Sequence, residues 1–135
     1  MNVRFLAPML MLVIAAVAWG GGAIPEGSKV TLEKAGVPVY PGAVYCIGDA
    51  SVGIRLATSD SEDEVRAWYL EHLSGWTLFE DFGSWMLADS PAGASMSERM
   101  ESKVVVVDTN AQLPEWHGLD ADMTTQIVIS LPGME

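Results

Sequence analysis

Two histidines, one cysteine and a scatter of aspartates are the side chains of this sequence with the most chemistry to offer. His117 follows Trp116 in a long polar stretch that also holds Asp120 and Asp122. An imidazole that titrates near neutral pH beside carboxylates is a minimal set for acid–base hydrolysis, and loops present such groups more often than packed elements do. These three are the candidate catalytic residues. The bland alternative is that Trp116 and His117 plug their loop into the core. His72 shares a helical stripe with Val65, Trp68, Tyr69 and Leu73, so it is expected as a partly buried imidazole beside the aromatic rings. Neither histidine has a second histidine or a cysteine at metal-ligand spacing. The acidic run at Asp60, Glu62, Asp63 and Glu64 and the pair Asp120 and Asp122 offer oxygen ligands. They lack the central glycine and distal glutamate of a calcium loop, and no metal is expected.

Other signatures fail in the same way. No G-x-S-x-G elbow occurs, and Ser97 is followed three positions later by Met100 where a catalytic tetrad needs lysine. The glycines at 20–22 have no lysine after them to hold a phosphate. No cofactor is expected. Trp68, Trp76, Trp85 and Trp116 could line a ligand groove, but three of them stand at positions patterned as core. Cys46 lies in Val44-Tyr45-Cys46-Ile47, which alternates as a strand does, so it is expected as a small buried hydrophobe. A single thiol closes no intrachain bridge.

The elements that must position these groups are legible in part. The stretch over residues 24–43, with Pro25, Gly27, Gly36, Pro38, Pro41 and Gly42, reads as a punctuated lead-in containing at most a short strand or helical turn near Val30. A turn at 40–43 delivers the chain into a strand at 44–48, and a loop at 49–51 leads to a second at 53–58, predicting a hairpin. A helix is predicted over 61–74: Ser61 and Glu64 make a capping box, the acids favour the positive end of the helix dipole, and Gly75 stops it. Strands are predicted at 76–80 and 84–88 around a tight turn at 81–83. Residues 89–102, with four serines, Pro91 and Gly93, read as a mobile loop with one helical turn near Glu98. Four consecutive valines make 103–108 a central strand covered on both faces. A long loop over 109–123 precedes a last strand at 125–131. One principal helix and about five strands joined by short turns predict an α+β domain, an antiparallel sheet with that helix on one face.

The run Val39-Tyr40-Pro41-Gly42-Ala43, a strand pair, Ser59-Asp60-Ser61, then Val65, Trp68-Tyr69, Leu73 and Gly75-Trp76 resembles small exported bacterial domains of unassigned function, often lipoproteins. The resemblance covers residues 37–80, about a third of the chain, and rests on turn and packing residues. It implies a fold and carries no catalytic residue. The lipidated cysteine of the lipoprotein versions is missing, since Cys46 stands far from the apolar N-terminal run.

That run sets the expected address. Arg4 precedes an uncharged, strongly apolar stretch, and Ala16-Val17-Ala18 and Gly21-Gly22-Ala23 are small-residue cleavage signals, so residues 1–23 are expected to be an export signal. Cleavage would leave Trp19 or, as favoured, Ile24 at the new terminus, although Pro25 hinders a cut just before it. The alternative is an uncleaved inner-membrane anchor, because the uncharged stretch over 5–24 is just long enough to span a bilayer. Either way residues 24–135 form one domain outside the cytoplasm, periplasmic or secreted. The 135 residues suit one domain, and 50% hydrophobic with 8% aromatic content suits a folded one. All 18 acids but only six of the seven bases follow residue 23, giving the exported part a net charge of −12. Such a surface is repelled by phosphate backbones and anionic lipid headgroups, so neither nucleic acid nor an anionic membrane is an expected partner of the domain. The expectation is an envelope module without catalysis of its own, with another envelope protein as partner. Its alternatives are a small hydrolase using His117, Asp120 and Asp122, and a small-ligand or lipid carrier with a hollow interior.

Overall fold

A computed structural model of the chain describes residues 22–134. The expected export segment lies outside the described residues except for its last two positions. Six strands, β1 (Val44–Ile47), β2 (Ile54–Thr58), β3 (Thr77–Phe79), β4 (Met86–Ala88), β5 (Val104–Thr109) and β6 (Thr125–Ser130), form one sheet in the order β1-β2-β6-β5-β4-β3. Every adjacent pair runs antiparallel. Four α-helices accompany it: α1 (Glu26–Ala35), α2 (Glu62–His72), α3 (Met96–Met100) and α4 (Leu113–His117). The fold is α+β with an antiparallel sheet; its six strands lie at the six stretches read as strands, with β3 and β4 shorter than predicted, and four helices stand where one principal helix was expected. No helix among the described residues is long and apolar enough to cross a membrane.

The register sorts the side chains into two faces. Ile54 and Leu56 of β2, Ile127 and Ile129 of β6, Val105 and Val107 of β5 and Leu87 of β4 pair across the ladders and form one buried layer. Helix α2 crosses from β2 to β3 and lays Val65, Tyr69 and Leu73 on this layer. Ser61 caps it by accepting the Glu64 N–H, and the Ser61 hydroxyl donates to the Glu64 carboxylate; the pair is predicted by the sequence, though the carboxylate takes the hydroxyl proton instead of the backbone N–H. His72 is a correction. It lies at the exposed edge of the stripe, stacked on Trp68 with ring centroids 3.9 Å apart and Nδ1–H donating to the Trp68 carbonyl.

The lead-in is a second correction. Residues 26–35 form a ten-residue helix, begun after Pro25 and closed by Gly36 in the left-handed conformation, with Leu32 and Ala35 in the main core. Proline at the start and glycine past the end are capping signals as much as breaking ones. The chain then docks on α2 through Tyr69. Its phenol donates to the Pro38 carbonyl and accepts the Tyr40 N–H, and burial pushes it above the usual tyrosine range. Tyr40 in turn donates to Asp60 at 2.5 Å, and that hydrogen bond, with burial, pushes its phenol up to about 12. Trp68 packs edge-on against both rings. Residues 39–43 and the W-Y pair of the helix are therefore one packing device. Tyr69→Phe keeps the ring and strands a buried carbonyl and N–H, so it should cost about 1–3 kcal/mol of stability, read from urea midpoints at unchanged slope. A loss below a few tenths would show the docking to be held by apolar contact alone.

The second face is covered at one end. Phe79, Ala88 and Val104 meet Ala94, with Met86 and Val106 packed beside them. Residues 89–102, predicted to be a mobile loop, fold down here as a lid ending in α3. Ser95 and Glu98 complete a reciprocal capping box, and Arg99 stands 3.8 Å over the Phe79 ring while donating to the Ala94 carbonyl and to Asp81. The four-valine strand is central, as predicted, and buried on its core face at Val105 and Val107, but on the second face only Val104 is buried, while Val106 and Asp108 are half-buried.

Candidate functional site

The predicted catalytic residues lie in the connection from β5 to β6. Leu113 and Pro114 of α4 are the buried side chains that anchor it, while Trp116 points outward at 56% exposure. The Trp-His pair is thus not the plug. Asp120 and Asp122 are exposed, His117 is half-buried, and no side-chain hydrogen bond joins any two of the three among the described residues. Backbone bonds shape their loop: the Leu119 N–H donates to Pro114, Met123 to Asp120 and Thr124 to Asp122. A shallow cleft of about 310 Å³ beside α4 is lined by Ala111, Pro114, Glu115, Leu119 and Ala121, none of them a candidate residue. A larger cleft, about 460 Å³, opens between the start of α1 and the loop at Asp49. Among the described residues no group of three histidine, cysteine, aspartate or glutamate side chains could hold a metal. Trp85 is buried, Trp68 and Trp76 pack half-buried against the core, and side chains fill the layer between α1, α2 and the sheet.

Polar groups converge elsewhere, on the sheet face turned away from α1 and α2, over β1, β2, β6 and β5. Arg55 stands between Ile54 and Leu56, both fully buried on the core side, so its side chain projects from this face. Its ladder neighbours are Val128 and Ile47, and Gln126 lies diagonally across β6, opposite Asp108 of β5. Gln126 is only 7% exposed. Its Nε2 donates to Asp108 at 2.9 Å, and its Oε1 is buried without a partner among the described residues. Arg55 Nε is likewise buried and unpartnered among them. Arg66 and Arg99 pair with acids, at Glu62 and Asp81, and among the described residues Arg55 pairs with none.

Asp108 decides which way the Gln126 amide points. Turning it over would set Oε1 against a carboxylate, acceptor against acceptor, so the atom left over is the carbonyl oxygen. Arg55 and Gln126 thus lie in one layer with Val128, Val106 and Val44. Unsatisfied buried polar groups cost stability, about 1–3 kcal/mol each, and are rare in folded proteins. Apolar side chains continue the surface at its β1–β2 end, where Ile47 is 55% exposed and Val52 78%. Cys46 is a correction to the buried-strand expectation. It sits half-buried at an irregularity in β1 between Tyr45 and Ile47, and burial pushes its thiol up, partly opposed by the Arg55 charge.

Sequence reasoning missed this site because Arg55 and Gln126 are 71 positions apart and each looks like the polar half of an alternating strand. Only the β2–β6 pairing brings them together. In comparisons with known proteins, the chain matches no family model, no curated protein and no solved structure.

Proposed function

We propose that this chain is an exported envelope domain without catalysis of its own, an accessory module that works by binding another envelope protein through the exposed end of its β1–β2 hairpin. The observation that carries the reading is an exposed apolar hairpin end, where Ile47 and Val52 stand in water. Apolar side chains held in water cost free energy that a partner's surface recovers on binding. The α2 residues of the resemblance have a packing role, which agrees with a motif that implies fold and no reaction. The apolar N-terminal run after Arg4 supports the address.

The full chain, tagged at its C terminus and expressed in a bacterium, should be recovered outside the cytoplasm with Ile24 or Trp19 first, or with Met1 in the membrane fraction. Used as bait on envelope extract, it should retain a specific protein that Val52→Asp retains less well. Recovery as an intact soluble cytoplasmic chain would defeat the export reading. Repeated failure to retain any specific protein under gentle conditions would defeat the accessory reading.

A further inference from the structure

We infer that the partner adds an extended segment to the outer edge of β1, and that the chain's own Gly22 covers this edge until processing after Ala23 removes it. This rests on the proposed function and names the shape of the partner's segment and what controls its access. β1 is an edge of the sheet, and the Tyr45 N–H, turned away from β2, donates to the Gly22 carbonyl at 3.1 Å in an antiparallel bridge. An extended backbone is therefore what the edge already accepts. Gly22 and Ala23 are both exposed, so taking them away opens the Tyr45 amide to water. Among the described residues Ile24 is the first side chain packed against the core, and a cut before it leaves every core residue in the chain. Edge strands often carry a charge or a proline that discourages pairing; Val44-Tyr45-Cys46-Ile47 carries neither. The irregularity between Tyr45 and Ile47 keeps the added pairing short, and the exposed Ile47 and Val52 of the same hairpin extend the contact with apolar surface. With a net charge of −12 after residue 23, the segment that fits carries apolar and basic side chains and no acids.

The test compares chains that retain Gly22, full-length and beginning at Trp19, with the chain beginning at Ile24. Removing Gly22 should quicken hydrogen exchange of the Tyr45 amide by about tenfold or more while the β5–β6 ladder stays protected. The binding probe is a capped hexapeptide, acetyl-Lys-Val-Lys-Val-Lys-Val-amide. Beside it stands the same peptide N-methylated at every residue, which keeps the charge and side chains but loses the backbone N–H groups. The expected result is saturable movement of the Tyr45 amide resonance when the plain peptide is added to the Ile24 form, and none with the methylated peptide. Chains that retain Gly22 should bind the plain peptide about tenfold more weakly or worse, a loss set by how fully the edge is already occupied. Equal binding with and without Gly22 would remove the cover, and a methylated peptide that binds as tightly as the plain one would replace strand pairing with charge attraction. Shifts lying away from β1 would remove the site altogether. Dimerisation of the Ile24 form through β1 would overturn the assignment by giving the edge to a second copy. An Ile24 form that does not fold would overturn it outright, since that form has to be the one that binds. A partner captured equally with and without Gly22 would sink the edge inference and leave the accessory reading standing. Peptide pairing without any captured partner would do the reverse.

Discussion

Gly48→Ala should cost about 3–5 kcal/mol, the sum of a strained backbone and an overpacked turn, which would consume much of the stability of a domain this size. Gly48 has φ +99°, and a Cβ built there would lie 1.9 Å from the Gly53 carbonyl oxygen across the hairpin. That atom is backbone, so no rotamer change relieves the clash. The turn has little freedom to move. The Asp49 carboxylate accepts from the Ser51 N–H, the Ser51 hydroxyl and the Val52 N–H, and the Gly53 N–H donates to the Asp49 carbonyl. The Tyr45 phenol donates to the Gly48 carbonyl, and Leu131 beyond β6 bonds to Ala50. Opening the turn would therefore disturb both β1 and the end of the last strand. Gly42→Ala, also at positive φ but with open space around the added carbon, is the control for conformational strain alone and should cost about 1–2 kcal/mol. Urea unfolding of both variants checks this. Equal losses would show that the close approach to Gly53 is relieved by a small backbone shift.

Arg99→Ala should release the lid on the second sheet face at a cost of about 2–4 kcal/mol. The residue is 9% exposed, and the substitution removes a buried donor to Ala94, a charge pair and a cation stacked on Phe79. Hydrogen exchange should quicken over residues 94–100 and along β3 and β4, while the β5–β6 ladder stays protected. Uniform quickening would mean that the lid and the main core unfold together. The same pair gives a pH signature. The hydrogen bond from Arg99, helped by its charge, holds the Asp81 carboxyl below the usual carboxylate range. Because the folded-state pKa is depressed, the stabilisation is present above the unfolded pKa and is lost as pH falls through the folded one. Asp81→Asn should flatten the acid side of the stability curve and leave the neutral side parallel to wild type. Identical acid slopes would show the pair to be screened by solvent.

Local patterning was enough for much of this architecture. Helix α2, with Ser61 at its start and Val65, Tyr69 and Leu73 facing inward, follows from capping chemistry and a 3.6-residue period, both written within a dozen residues. The hairpins and the central valine strand follow from alternation and turn residues, because a strand's two faces are set by its own sequence once one face is buried. The charge of −12 after residue 23 and the apolar N-terminal run are properties of composition and need no fold. What needed tertiary structure is what depends on partners distant in the chain. Helix α1 has few apolar side chains of its own and is held by the core that Leu32 and Ala35 enter. The lid over residues 89–102 is anchored by Arg99, whose ring and carboxylate partners, Phe79 and Asp81, lie near 80. Strand order alone set Arg55 beside Gln126, since sequence records which residues face outward but not which strand will lie next to which. There two polar residues unremarkable in their own strands share one layer, with Arg55 Nε and Gln126 Oε1 left unpartnered among the described residues.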